Sequence, residues 1–172
     1  MKHLILYFSH SGHTRRIAEL LQQELGGDLL AIEPLQDYPA NYLACLWRSG
    51  YELVAKKMPA LQPLPFCLED YDAIILGSPV WWFTCPPVLR NCLAALDIPG
   101  LSIYPFFTCG GNAGKAEKYL QQHITQAHLQ PAYIATFTGD GHCNDGTKFH
   151  DWLYELRHKL AVPIPYADNI NR

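Results

Sequence analysis

The sequence predicts an α/β domain: a doubly wound, five-stranded parallel sheet with helices on both faces. Three observations carry that reading. Apolar runs of strand length alternate regularly with segments of helical periodicity, the pattern of a parallel sheet built from crossover units. The runs Leu4–Phe8 and Asp72–Gly77 read apolar almost throughout, as strands do when both faces are covered. Three strands run into loops of unusual composition, at residues 9–14, 78–87 and 108–114.

In chain order, Leu4 to Phe8 is the first strand. Ile17, Leu20, Leu21 and Leu25 then fall at helical spacing, with Arg15, Arg16, Gln22, Gln23 and Glu24 on the other face. Gly26-Gly27 ends that helix. The apolar run within Asp28–Glu33 is the second strand, and Pro34 and Pro39 break regularity after it. Residues 40–58 read as a helix with a broad apolar face: Tyr42, Leu43, Leu46, Trp47, Tyr51, Leu53 and Val54. That pattern puts Trp47 and Tyr51 in the core. Lys56 and Lys57 are expected in the last turn, where cations suit the helix dipole.

A proline-rich connector, 59–65, leads to the third strand at Asp72–Gly77. Pro87 opens a helix with Val88, Leu89, Cys92, Leu93 and Leu96 as its stripe. Ser102 to Thr108 is the fourth strand, although Pro105 removes a ladder donor. A helix follows with Ala116, Leu120, Ile124 and Ala127 inward. Ala132 to Phe137 is the fifth strand, Thr138–Gly146 a polar loop, and the last helix carries Phe149, Trp152, Leu153, Leu156 and Leu160 on one stripe. The expected organisation is one domain, 1–162, with an irregular tail, 163–172.

A chain of 172 residues supports one substantial core. A net charge of −3 argues against nucleic-acid binding, which needs a basic stripe, and against strong steering toward basic partners. None of the six cysteines forms C-x-x-C, so free thiols in a reducing compartment are expected. The N-terminus carries no long apolar leader, and no apolar run reaches membrane-spanning length. The expected location is the cytoplasm, with no membrane partner.

The three loops carry the chemistry. In open α/β sheets ligands bind outside the carboxyl ends of the strands. Ser9, His10, Ser11, Gly12, His13 and Thr14 offer three hydroxyls, a glycine and free N–H groups where a helix begins, an anion cradle. Caps alone would explain one or two of those hydroxyls. Ser78, Pro79, Val80, Trp81, Trp82 and Phe83 offer an aromatic wall. Thr108, Cys109, Gly110 and Gly111 offer close backbone approach. Together they suit a planar aromatic ligand carrying a phosphate, a description that fits flavin mononucleotide (FMN). His10 and His13 flank the cradle.

Other motif classes fail. Gly110–Lys115 lacks the first glycine and the Ser or Thr of a P-loop, and Asn144 stands where a dinucleotide fingerprint needs its third glycine. H-E-x-x-H and G-x-S-x-G are absent. A metal site at His142 and Cys143 with Asp140 or Asp145 is conceivable, but an ordinary polar loop is the simpler reading. No residue stands out as a catalytic acid or base.

These loops are where the sequence resembles the flavodoxin-like family. Ser9-x-Ser11-Gly12-x-Thr14 is similar to its FMN-phosphate loop. Tyr71-Asp72-Ala-Ile-Ile-Leu-Gly77-Ser78-Pro79-Val80-Trp81-Trp82 is similar to the YDxIxxGxPxWW segment of one subgroup, and Thr108–Gly111 resembles the third flavin-contacting loop. The resemblance covers most of residues 3–160. It implies strand order 2-1-3-4-5, bound FMN and redox chemistry. Ser9–Thr14 would hold the phosphate, Ser78–Phe83 would line the ring with Trp81 or Trp82 stacking, and Thr108–Gly111 would meet its polar edge.

The sequence departs from the subgroup in two places. Phe83 stands where glycine is usual, and a glycine there permits a peptide flip that favours one-electron reduction. Asn112-Ala113 replaces Ser-Gly. The resemblance thus implies an electron-transfer flavoprotein, working with a redox partner protein or a small-molecule electron acceptor. An NAD(P)H-dependent FMN or quinone reductase is the alternative, and a non-redox phosphate-ester-binding module is a third reading of another class.

Overall fold

The chain runs β1 (His3–Tyr7), α1 (His13–Leu25), β2 (Asp28–Ala31), α2 (Tyr42–Val54), β3 (Ala73–Pro79), α3 (Pro87–Leu96), β4 (Ser102–Cys109), α4 (Ala116–His123), β5 (His128–Leu129), β6 (Tyr133–Thr136) and α5 (Gly146–Leu160). The computed structural model describes residues 1–65, 67–137 and 146–162. The expectations for the loop with His142 and Cys143, and for the tail 163–172, lie outside the described residues. All strand pairs are parallel, in the order β2-β1-β3-β4-β5, with β6 also on β4.

Both faces of the sheet are covered, as the apolar strands require. Leu4, Leu6, Ile74, Leu76 and Phe107 pack under α3 and α4, while Ile5, Ile75, Tyr104 and Phe106 pack under α1 and α5. Each fully buried side chain of this size contributes about 1.5–3 kcal/mol. The five cysteines among the described residues are free. No helix among those residues is long and apolar enough to cross a membrane.

The fifth strand position is split. β5 pairs with Ser102 and Ile103, β6 with Phe106 to Cys109, and Tyr104 and Pro105 stand opposite the break. The Ile103 carbonyl accepts from Gln130 N–H on this side, and the Cys109 carbonyl accepts from Phe137 N–H. Strand polar groups alternate sides, so the donor that Pro105 lacks falls in the gap. A proline is thereby accommodated in an interior strand. Ala127 is not helical as expected; α4 stops at His123. The Asp97 carboxylate ends it by accepting the N–H groups of Thr125, Gln126 and Ala127 at 2.8, 2.6 and 3.0 Å, and the Thr125 hydroxyl.

The larger correction concerns α2. It is shorter than the expected 40–58, and Lys56 and Lys57 lie beyond it. Trp47 and Tyr51 are not in the core: they are 80% and 59% exposed. The buried positions of α2 are Cys45, Ser49 and Glu52. The sheetward side of α2 is held by polar bonds. Glu52 accepts from Tyr38 Oη at 2.6 Å and from Arg48 Nε at 3.0 Å, and Arg48 also donates to the carbonyls of Gln36 and Asp37.

Candidate functional site

The loops after β1, β3 and β4 meet at the carboxyl edge of the sheet. The chain leaves β1 toward α1 on one face and β3 toward α3 on the other, so their carboxyl ends flank the point where strand order reverses.

The loop after β1 ends at Gly12, and His13 and Thr14 already belong to α1. The Gly12 φ of 88° is a left-handed conformation that glycine adopts without a Cβ penalty. No side chain caps α1, and its first turn contains no acidic residue. The end of the helix is therefore open to an anion. Ser9 Oγ is buried and makes no hydrogen bond. A buried hydroxyl without a partner is uncommon and costs about 1–3 kcal/mol, so it points to a missing acceptor or donor. Thr14 differs: its hydroxyl is buried and pairs with the Thr108 hydroxyl at 2.8 Å. It ties the first loop to the third.

The second loop is a two-residue hairpin. Trp81 and Thr84 exchange both backbone bonds, at 3.1 and 3.0 Å. Trp82 and Phe83, at its tip, both have positive φ, 53° and 57°, the signature of a type I′ turn. Glycine and asparagine favour such positions; two aromatic residues there are strained by about 1–2 kcal/mol each. The Phe83 carbonyl is held by Lys115 N–H at 2.7 Å, and Gly114 leaves no room for a Cβ against it. The Val80 N–H donates to the Thr108 carbonyl at 2.9 Å, joining the second and third loops again.

The two tryptophans part company. Trp81 meets His10 of the first loop edge to face, at 5.7 Å between ring centres, and also Phe8 at 5.4 Å and Tyr38 at 4.9 Å. Trp82 turns to α2, resting over Gly50 and donating from Nε1 to Ser49 Oγ at 3.2 Å. Phe83 is largely exposed. Ser78 is fully buried, its hydroxyl on the Pro79 carbonyl, so it lies beneath the site and not on its surface. Pro79 and Val80 are half-buried at the end of β3. Thr108 and Cys109 are buried, whereas Ser11, Gly110 and Gly111 are exposed. His13 stands apart from His10, its ring 4.6 Å from Phe137.

Tyr38 borders the candidate site, and the sequence reading did not include it. It packs on Trp81, and burial followed by its bond to Glu52 pushes its phenol well above the ordinary range. The available signal was Arg48 and Glu52, an i,i+4 pair on an otherwise apolar helix. Among the described residues no cluster of three His, Cys, Asp or Glu could hold a metal.

Nothing lies within 4 Å of where a Cβ would stand at Gly12, Gly110 or Gly111. The orphaned Ser9 hydroxyl, the uncapped helix end and this space fit a phosphorylated ligand with a ring between the second and third loops.

A flavodoxin family model matches residues 2–148. The chain is 33% identical over 84 residues to an uncharacterised protein of Archaeoglobus fulgidus, and it spans about half the length of that curated relative, 51%. Among solved structures, a protein provisionally named a flavoprotein from Bacteroides eggerthii is 26% identical. Its TM-score is 0.75, with 94% of this chain and 99% of that one covered. A second of that kind, from Bacteroides uniformis, is 29% identical with TM-score 0.71, covering 80% of this chain and 92% of that one. A flavoprotein in complex with FMN from Lactobacillus acidophilus is 22% identical with TM-score 0.71, covering 88% and 97%, and shares the fold.

Proposed function

The chain belongs to the flavodoxin family, and from that premise we propose that it is an FMN-binding redox protein. Its carrying observation is the unbonded Ser9 hydroxyl beside the uncapped start of α1. Ser9, Ser11 and the N–H groups around Gly12 hold the phosphate. Trp81 forms the ring's wall, because it is the tryptophan in contact with the first loop; Trp82 is committed to α2. Gly110 and Gly111 let backbone approach the ring's polar edge. FMN supplies the electron chemistry when bound. The chain supplies grip, orientation and a largely apolar surround. Its electrons pass to or from a redox partner protein or a small-molecule acceptor.

Within this reading, family likeness supports a carrier. One observation favours the second reading, an NAD(P)H-dependent reductase: the Trp82–Phe83 turn has no glycine, and the Phe83 carbonyl is already bonded to Lys115. A backbone so held resists the rearrangement that supports one-electron steps. Reductive titration of the flavin-loaded protein under anaerobic conditions separates the two. Accumulation of a paramagnetic, one-electron-reduced form supports the carrier. Direct bleaching by NADH or NADPH without it supports the reductase. Failure of the purified protein to retain or take up FMN contradicts both.

A further inference from the structure

Helix α2 is inside out for a chain that stands alone. Two of its three buried positions, Ser49 and Glu52, are polar, while Trp47 is 80%, Val54 87% and Tyr42 74% exposed. The water-facing side of a helix in a monomeric protein normally carries the polar residues. Within α2 no charge interrupts it: Arg48 and Glu52, the only charged residues of α2, bond to each other on the sheetward flank, and Lys57, beyond the helix, borders the patch with its amine 5.0 Å from the centre of the Tyr51 ring. The patch runs on through Met58, Trp82 and Phe83, and a groove of about 750 Å³ crosses it.

We propose that this face is the two-fold interface of a homodimer. Area selects the class of occupant. Aromatic side chains carry roughly 150–250 Å² each, so the exposed apolar residues here present on the order of 1,000 Å². Two copies would bury roughly 2,000 Å², the range of obligate homodimers, whereas transient electron-transfer contacts stay under about 1,200 Å² in total. A small aromatic ligand would cover only part of it. A two-fold contact requires a surface that complements itself. The residues lining the groove carry no charge and so meet that requirement; a charged lining would repel its own copy, and the lysines stay at the rim. Leu43, Trp47 and Val54 fall four and seven residues apart, along one stripe of the helix, with Trp82 filling the step at Gly50 between them.

Val162 packs on the α1–α5 face, and Leu160 lies by the N-terminus of Met1, at the far end of β1 from the loops. The last described residues thus lie across the sheet from α2.

The interface includes the site loop. Trp82 fills the notch at Gly50 and bonds to Ser49, so the partner's α2 would lie over the residue that joins α2 to the β3–α3 loop. Dimerisation then holds the Trp82–Phe83 turn in place. The proposal stands independently of flavin binding and is tested on a different readout.

Sedimentation velocity of the full chain should give a particle of two 19.5 kDa copies. Trp47→Glu and Val54→Lys should each weaken self-association by about 100-fold, as removal of a central interface residue does. Their far-UV circular dichroism should be unchanged, because neither side chain is in the core. Trp47→Leu should keep the dimer, and Leu20→Glu, on α1, should leave it intact. A wild-type chain that is monomeric at about 100 µM, above the roughly micromolar-to-picomolar range that interfaces of this size span, overturns the proposal. So does a dimer that both charged variants leave untouched. Co-sedimentation of a monomer with phosphatidylcholine–phosphatidylglycerol vesicles would likewise overturn it, in favour of a lipid surface.

Discussion

At Gly12 the backbone is left-handed and the space beside it is open. Gly12→Asp puts a carboxylate into the proposed phosphate cradle. Aspartate tolerates this conformation better than most residues, so the fold should survive. FMN affinity should fall by at least about 100-fold, on the scale of a misplaced charge in a desolvated site. Equilibrium dialysis with circular dichroism as a control checks this; unchanged affinity would remove the first loop from the site. Phe83 makes the opposite case. Phe83→Gly relieves about 1–2 kcal/mol of strain, offset in part by about 0.5–1 kcal/mol of added unfolded-chain entropy, so the monomer should be stabilised by under about 1 kcal/mol, read by urea denaturation at low protein concentration. It should also raise the one-electron-reduced population in a reductive titration. The placement of Ser9, Gly12 and Trp81 in loops at the carboxyl edge was legible because loop chemistry after a buried strand is local. Tyr38 was not: nothing in its neighbours in sequence says that it folds back onto Trp81 and Glu52.

At the scale of elements, Asp97 decides where α4 ends and β5 begins. Its carboxyl is pushed down to about 2, first by the bond from Ala127 N–H, then by those from Gln126 and Thr125, with burial opposing them. A folded-state value below that of the unfolded chain means a contribution fully present above about pH 4 and lost as pH falls through about 2. Asp97→Asn should therefore be less stable than the native chain at neutral pH. The gap should close as the solution is acidified toward pH 2, measured by denaturant midpoints. A gap that is constant with pH would show that the carboxylate's charge is not what holds the turn. The strand–helix order was readable because buried parallel strands and amphipathic helices have different periods. β5 was not: two residues carry no period, and their strand exists because Asp97, distant in sequence, ends the helix before them. The orientation of α2 was also unreadable. Its pattern shows which face is apolar but not whether that face turns to the sheet.

Across the whole molecule, the sheet order brings three loops, about 70 and 30 residues apart along the chain, to one edge. Thr14–Thr108 and Val80–Thr108 tie them together. A parallel sheet with both faces covered leaves its carboxyl edge as the place where backbone donors and side chains converge without disturbing a core. The family's order was legible from motifs on β1, β3 and β4, while the split fifth position depended on Pro105 meeting a break no motif records. The account's central claim is that this edge binds FMN through its phosphate. Titrating FMN with the protein and following flavin fluorescence tests it most directly, with riboflavin as the phosphate-free control. The account predicts saturable quenching at one FMN per chain and affinity for riboflavin weaker by at least about 100-fold, the loss of a charge-assisted phosphate site. No quenching by FMN, or equal affinity for the two flavins, would contradict it.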